Sequence, residues 1–156
     1  MSSLSNIGFN NSNDLIEKLR RDRSALKKAI LDQNKPILKD AVINFFTYGY
    51  HIKDWLKSEE YKDVEFYINN NLELRICADL CNGAKHKILT SPREINNPIN
   101  SVNYSEITAD STVYTADSTL KIDSVTYNIQ LESGKSIEIL HFANRVVELW
   151  EKFIAG

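Results

Sequence analysis

The sequence predicts an α+β protein, mainly α: a four- or five-helix bundle with a small antiparallel β-sheet inserted before the C-terminal helix. Two features of the pattern carry this. Apolar residues recur at a period of 3.6 up to about residue 90; beyond a Pro- and Asn-rich segment the period shifts toward 2, and a last amphipathic stretch restores the helical spacing. A third observation is size, since 156 residues with 42% hydrophobic composition suffice for one buried core.

Residues 1–13, rich in Ser and Asn, read as a flexible leader, and 14–156 as a single domain. Within it, 14–90 forms the helical part, 91–101 a loop, 102–140 a β-hairpin insertion and 141–156 the closing helix. Leu15, Ile16, Leu19, Leu26, Ala29 and Ile30 place a first helix at about 14–33, with Asp14 and Glu17 in the form of a capping box. Pro36 suits the first turn of a second helix, Ile37 to about Ser58, whose apolar face is Leu38, Ala41, Val42, Phe45, Gly49, Ile52 and Leu56. A third helix is expected at about 59–69. A fourth, Leu72 to Leu89, is apolar almost all round and therefore central to the bundle. Val125, Tyr127, Ile129 and Leu131 alternate with polar residues, Glu132 to Lys135 makes a hairpin turn, and Ile137 and Ile139 resume the alternation. Val102–Thr108 and Thr112–Ile122 offer further strand material. Phe142, Val146, Leu149, Trp150 and Phe153 mark the last helix, with His141 off its apolar face at solvent or a helix terminus.

Lys and Arg number 19 against 21 Asp and Glu, a net charge of -2, which excludes a highly charged nucleic-acid coat or a disordered tail. No apolar run approaches the roughly 20 residues needed to span a bilayer, and the N-terminus lacks the basic and apolar regions of a signal peptide. A soluble, cytoplasmic protein without membrane contact is expected. Cys77 and Cys81, four apart, cannot close a disulfide within an intact helix and are too few for structural zinc, so they read as small core residues. Neither is read with a basic neighbour on its own helical face, which leaves thiol chemistry without support.

The polar residues of the fourth helix form one stripe: Arg75, Asp79, Asn82 and His86 fall at i, i+4, i+7 and i+11. The second helix offers a matching seam of Asn44, Thr47, His51 and Asp54, with Trp55 alongside. Burying such groups is costly unless they are paired, so His51, Asp54, Asp79, Asn82 and His86 are expected to converge between the two helices. Such a cluster serves either as a buried network that fixes helix register or as a functional site. The first helix adds a basic face of Arg20, Arg21, Arg23, Lys27 and Lys28, suited to phosphate or to solvent.

The strings Phe45 to Trp55 and Cys77 to His86 resemble small uncharacterised bacterial proteins with an H-x-x-D-W helix followed by a D-x-x-N-x-x-K-H helix. The arrangement also resembles HEPN superfamily bundles, many of them metal-independent ribonucleases of toxin-antitoxin and phage-defence systems. The motif of that superfamily is Arg, a polar residue, a short spacer and His. Asn82 and His86 match the polar residue and the His, whereas Cys81 stands in place of the Arg and Arg75 lies about 16 Å from His86 along the helix axis.

Three readings follow. The first is a bundle acting on or binding RNA: His86 serves as acid or base, Asn82 orients it, and Lys85 or Arg75 stabilises phosphorane charge, with no cofactor. Dimerisation through the fourth helix would pair two such sites. The second is a non-catalytic module whose polar pocket binds a protein or small ligand. The third is a metal-dependent hydrolase with His51, Asp54, Asp79 and His86 as ligands, although the sequence has no His pair at i, i+4 on one helix.

Overall fold

The computed structural model describes residues 4–86, 93, 99–107 and 126–156. After a single turn of 3-10 helix at Leu4–Ile7 come α1 (Ser12–Leu31), α2 (Lys35–Ser58), α3 (Val64–Asn69) and α4 (Leu72–His86), then β1 (Ile99–Ile107), β2 (Thr126–Leu131), β3 (Ser136–Glu138) and α5 (Ile139–Ala155). The mainly helical fold with a small antiparallel sheet before the last helix is thus the one the periodicity predicts.

Local chemistry sets each boundary. Helix α1 begins at Ser12, two residues early, because the capping box is Asn11 with Asp14 rather than Asp14 with Glu17. The Asn11 Oδ1 accepts from Asp14 N at 3.2 Å and Asp14 Oδ2 accepts from Asn11 N at 3.3 Å. Ser12 is buried, its N–H and hydroxyl donating to Glu59 at 2.5 and 2.6 Å, and within the stretch expected as a leader Leu4–Ile7 form a 3-10 turn. Helix α2 starts at an Asn34 N-cap with Pro36 in its first turn. The third helix is shorter than expected: Glu60 and Asp63 have φ of 65° and 61°, a left-handed backbone that no α-helix continues through. Tyr61 therefore sits in the turn, its ring 6.0 Å from that of Phe153. Helix α4 is central, with Leu74, Ile76, Cys77, Ala78, Asp79 and Cys81 buried; the expected continuation to Leu89 lies outside the described residues.

The sheet order is β1-β2-β3, both pairs antiparallel, with Ile129 opposite Val102 on one side and Ile137 on the other. The expected strand at Thr112–Ile122 and most of the 91–101 loop lie outside the described residues. Gly134, at φ 84°, makes the hairpin turn, which only glycine adopts cheaply. Ile139 does not continue the alternation but opens α5, because the Glu138 carboxylate caps the helix by accepting from Leu140 N at 2.9 Å and His141 N at 2.6 Å. His141 is exposed in that first turn, as its off-face position implied.

Four helices meet at Gly49 of α2. A Cβ there would lie 2.9 Å from Cys77 Sγ of α4, 3.4 Å from Val146 of α5 and 3.8 Å from Leu19 of α1. The buried Trp150 indole donates to the Gly49 carbonyl at 2.7 Å, and the Cys77 thiol to the Phe46 carbonyl at 3.3 Å. Phe45, Phe46 and Phe142 fill the adjoining core, their rings edge to face.

Gly49→Ala is expected to destabilise the protein by about 1–3 kcal/mol, overriding the helix-propensity gain of about 1 kcal/mol that this change normally brings. Because the nearest obstacle is one sulfur, the Gly49→Ala/Cys77→Ala double variant should lose less than the sum of its single changes in urea titrations. Trp150→Phe, which removes a buried donor and part of a core side chain, should cost about 1–3 kcal/mol in the same measurement.

Candidate functional site

The second helix presents two polar faces, and the structure treats them differently. On one, His51 Nδ1 lies 3.8 Å from Asp54 Oδ2, both side chains more than half exposed, while Asn44 is exposed and Thr47 half-buried. Trp55 is half-buried and packs on the core. On α4, Asp79 is buried and accepts from the backbone N–H of Arg93 at 2.7 Å. Arg75 donates to the Asn69 carbonyl at 2.6 Å, Asn82 is half-buried and Lys85 exposed. His86 is the last residue of the helix; its side chain lies outside the described residues.

Among the described side chains His51 and Asp54 form an exposed pair on α2 and Asp79 is buried on α4; the expected convergence on the His86 side chain lies outside the described residues. The two seams do touch, at a residue read only as core filler. Thr47 of α2 and the charges of Lys85, Asp54 and Lys53 act on the Cys81 thiol. Lys85 thus supplies the basic neighbour, at i+4, that the sequence reading denied this cysteine. Burial nevertheless outweighs it and pushes the Cys81 thiol up, as it does Cys77, so neither is an activated nucleophile. Among the described residues no three His, Cys, Asp or Glu side chains are grouped to hold a metal ion.

The basic face of α1 is partly neutralised. Arg20 pairs with Glu17 and, at 2.7 Å, with Glu151 of α5; Lys28 pairs with Asp32. Lys18 pairs with Asp22 and lies 3.7 Å from the centre of the Tyr48 ring. Among the described residues no carboxylate pairs with Arg21, Arg23 or Lys27, of which Arg21 and Lys27 are exposed.

A second cluster, absent from the sequence reading, forms around Glu65 of α3. Its Oε1 meets Lys57 and, at 3.3 Å, Lys53; its Oε2 meets Arg93 at 2.8 Å. Arg93 also donates to Asn69 Oδ1 at 2.8 Å and to the Tyr50 hydroxyl at 3.1 Å, and Lys53 Nζ lies 4.5 Å from the centre of the Tyr50 ring. Lys53 stands 3.8 Å from Asp54, so the cluster is continuous with the His51–Asp54 pair. Burial opposes ionisation of Glu65, but hydrogen bonds from Lys57 and Arg93 and the charges of Arg93 and Lys53 prevail and hold its carboxyl at about 2. The α2 members were legible as Tyr50, Lys53 and Lys57 at i, i+3 and i+7; Arg93, 43 positions from Tyr50, had no local signal.

Because the folded-state value of Glu65 is depressed from 4.5 to about 2, its contribution is complete above the ordinary carboxylate range and lost as pH falls from there through the folded value. Urea midpoints followed from neutral to strongly acidic pH should therefore fall less steeply across that window for Glu65→Gln than for the wild type.

No family model matches this chain, and no curated protein or solved structure matches it either, so its functional reading is built from its own residues.

Proposed function

We propose that this protein is an HEPN-like helical protein that binds RNA and cleaves it without metal, in a bacterial toxin-antitoxin or phage-defence setting. The observation that carries the reading is the unbroken course of α4 to His86, which keeps Asn82 and His86 at i, i+4 with the exposed Lys85 between them. Imidazole is the side chain whose unperturbed titration lies near neutrality, so His86 is assigned the proton transfer at a ribose 2′-hydroxyl. Asn82 orients it and Lys85 offsets charge on the phosphorane. Asp79 is assigned to structure, and the exposed His51–Asp54 pair is a second acid-base candidate. Phosphate contacts fall to Arg21, Arg23 and Lys27, since Arg20 and Lys28 already face carboxylates. Only the helical part favours a phosphate chain: residues 1–90 hold 14 Lys and Arg against 12 Asp and Glu, a net of +2, and residues 91–156 hold 5 against 9, a net of -4.

A second reading, a non-catalytic binding module for a protein or small ligand, draws on the buried Asp79 accepting from the Arg93 backbone N–H, a contact that suits a structural role. Gel-shift and cleavage assays on one single-stranded RNA separate the two. Cleavage is expected to persist in EDTA and to disappear in a folded His86→Ala protein; a wild type that neither binds RNA at low salt nor cuts it, with or without divalent ions, selects the binding module. Neutralising Arg21, Arg23 and Lys27 together should flatten the salt dependence of log K by about 2 for single-stranded RNA, whereas neutralising Arg20 and Lys28 should change it less.

A further inference from the structure

We infer that Lys53, Lys57 and Arg93 form a binding site for a dianionic tetrahedral oxyanion of the phosphate-monoester class, with the Glu65 carboxylate as its resident competitor. Three cations converge on one carboxylate here; of the neighbouring carboxylates, Asp54 stands 3.8 Å from both His51 and Lys53, and Asp79 accepts from the Arg93 backbone N–H. With Glu65 displaced, Lys53, Lys57 and Arg93 are left to face the incoming group, three cations suited to a ligand carrying two negative charges. Lys53 and Lys57, one turn apart on α2, also repel each other, a cost that an added anion relieves.

The Lys53 and Arg93 side chains are 14% and 23% exposed, and Lys57 and Glu65 43% and 39%, so the cluster is more shielded at Lys53 and Arg93 and more open to solvent at Lys57 and Glu65. Arg93 Nη1 donates to Asn69 and its Nη2 to Tyr50 and Glu65, which fixes the guanidinium plane and leaves the Glu65-facing donor for a ligand that displaces that carboxylate. The two oxygens of Glu65 are both in use, Oε1 on the lysines and Oε2 on the arginine. A phosphate monoester offers three terminal oxygens and can reach all three cations at once. Glu65 stays ionised across the working pH range, so it competes as a permanent internal anion rather than a titrating one. The site does not depend on the RNA reading.

The test is thermal unfolding and calorimetric titration with inorganic phosphate against sodium chloride of matched ionic strength. Phosphate should raise the melting temperature of the wild type beyond the chloride control. In Glu65→Gln, with the competitor gone, phosphate should bind about tenfold more tightly and restore stability lost by the substitution. Lys57→Gln, at an exposed side chain, should remain folded, with Lys53 and Arg93 still on Glu65, and lose the phosphate response. No phosphate effect beyond chloride in wild type overturns the site, as does a response unchanged in Lys57→Gln, and the latter result stands even where Glu65→Gln fails to fold. Short RNAs with a 5′-phosphate or a 5′-hydroxyl then identify the source: preference for the phosphorylated end, lost in Lys57→Gln, assigns a nucleic-acid terminus, and a phosphate response without that preference assigns a small phosphorylated ligand. Because inorganic phosphate alone is the primary readout, failure of RNA binding leaves this result untouched.

Discussion

The close approach of four helices at Gly49 is the constraint on which the rest depends. With a Cβ position 2.9 Å from a buried sulfur, α2 and α4 are nearer than ordinary side chains permit. The Trp150 indole, bonded to the Gly49 carbonyl, ties α5 to the same point. Everything that α2 offers to chemistry is set by this contact, because it fixes which stripe of the helix is spent on packing. Leu38, Val42, Phe45, Phe46, Ile52 and Leu56 turn inward. His51 and Asp54 are left exposed, while Tyr50 and Lys53 are half-buried and meet α3 and Arg93.

Two polar systems arise on that helix and differ in what holds them. The His51–Asp54 pair is exposed and local, worth little to stability because water screens it. The Glu65 cluster joins three separate parts of the chain, and its members are shielded enough that the carboxyl is held far below its usual range. Such a network fixes α3 against α2 and brings residue 93 onto α4, where its N–H satisfies the buried Asp79. The Arg93 N–H is thus a partner of the kind the burial rule requires for Asp79, supplied by backbone. The cost of an unpaired buried carboxylate was correctly anticipated; the donor that relieves it was not.

Cys81 marks the limit of reading one helix at a time. Its face on α4 includes Lys85, and across the interface it meets Thr47. Burial still raises its thiol, so the contact is architectural.

By itself the sequence determined the order and kind of the elements, the apolar face of α2 including Gly49, the all-round burial of α4, and the hairpin at Gly134. Each of these rests on periodicity or on a backbone preference that one short segment carries. Boundaries were less legible, since two capping boxes overlap near residue 14 and only the Ser12–Glu59 contact, 47 positions apart, accompanies the earlier start. Likewise Ile139 fits a strand by alternation, yet the Glu138 cap makes it the first residue of a helix. The division of the polar seam was decided only in three dimensions. Arg93 reaches Asp79, Glu65, Asn69 and Tyr50 from 14 to 43 positions away. No local pattern encodes such partners, because ion pairing depends on distance in space and helical spacing reports only neighbours on the same turn.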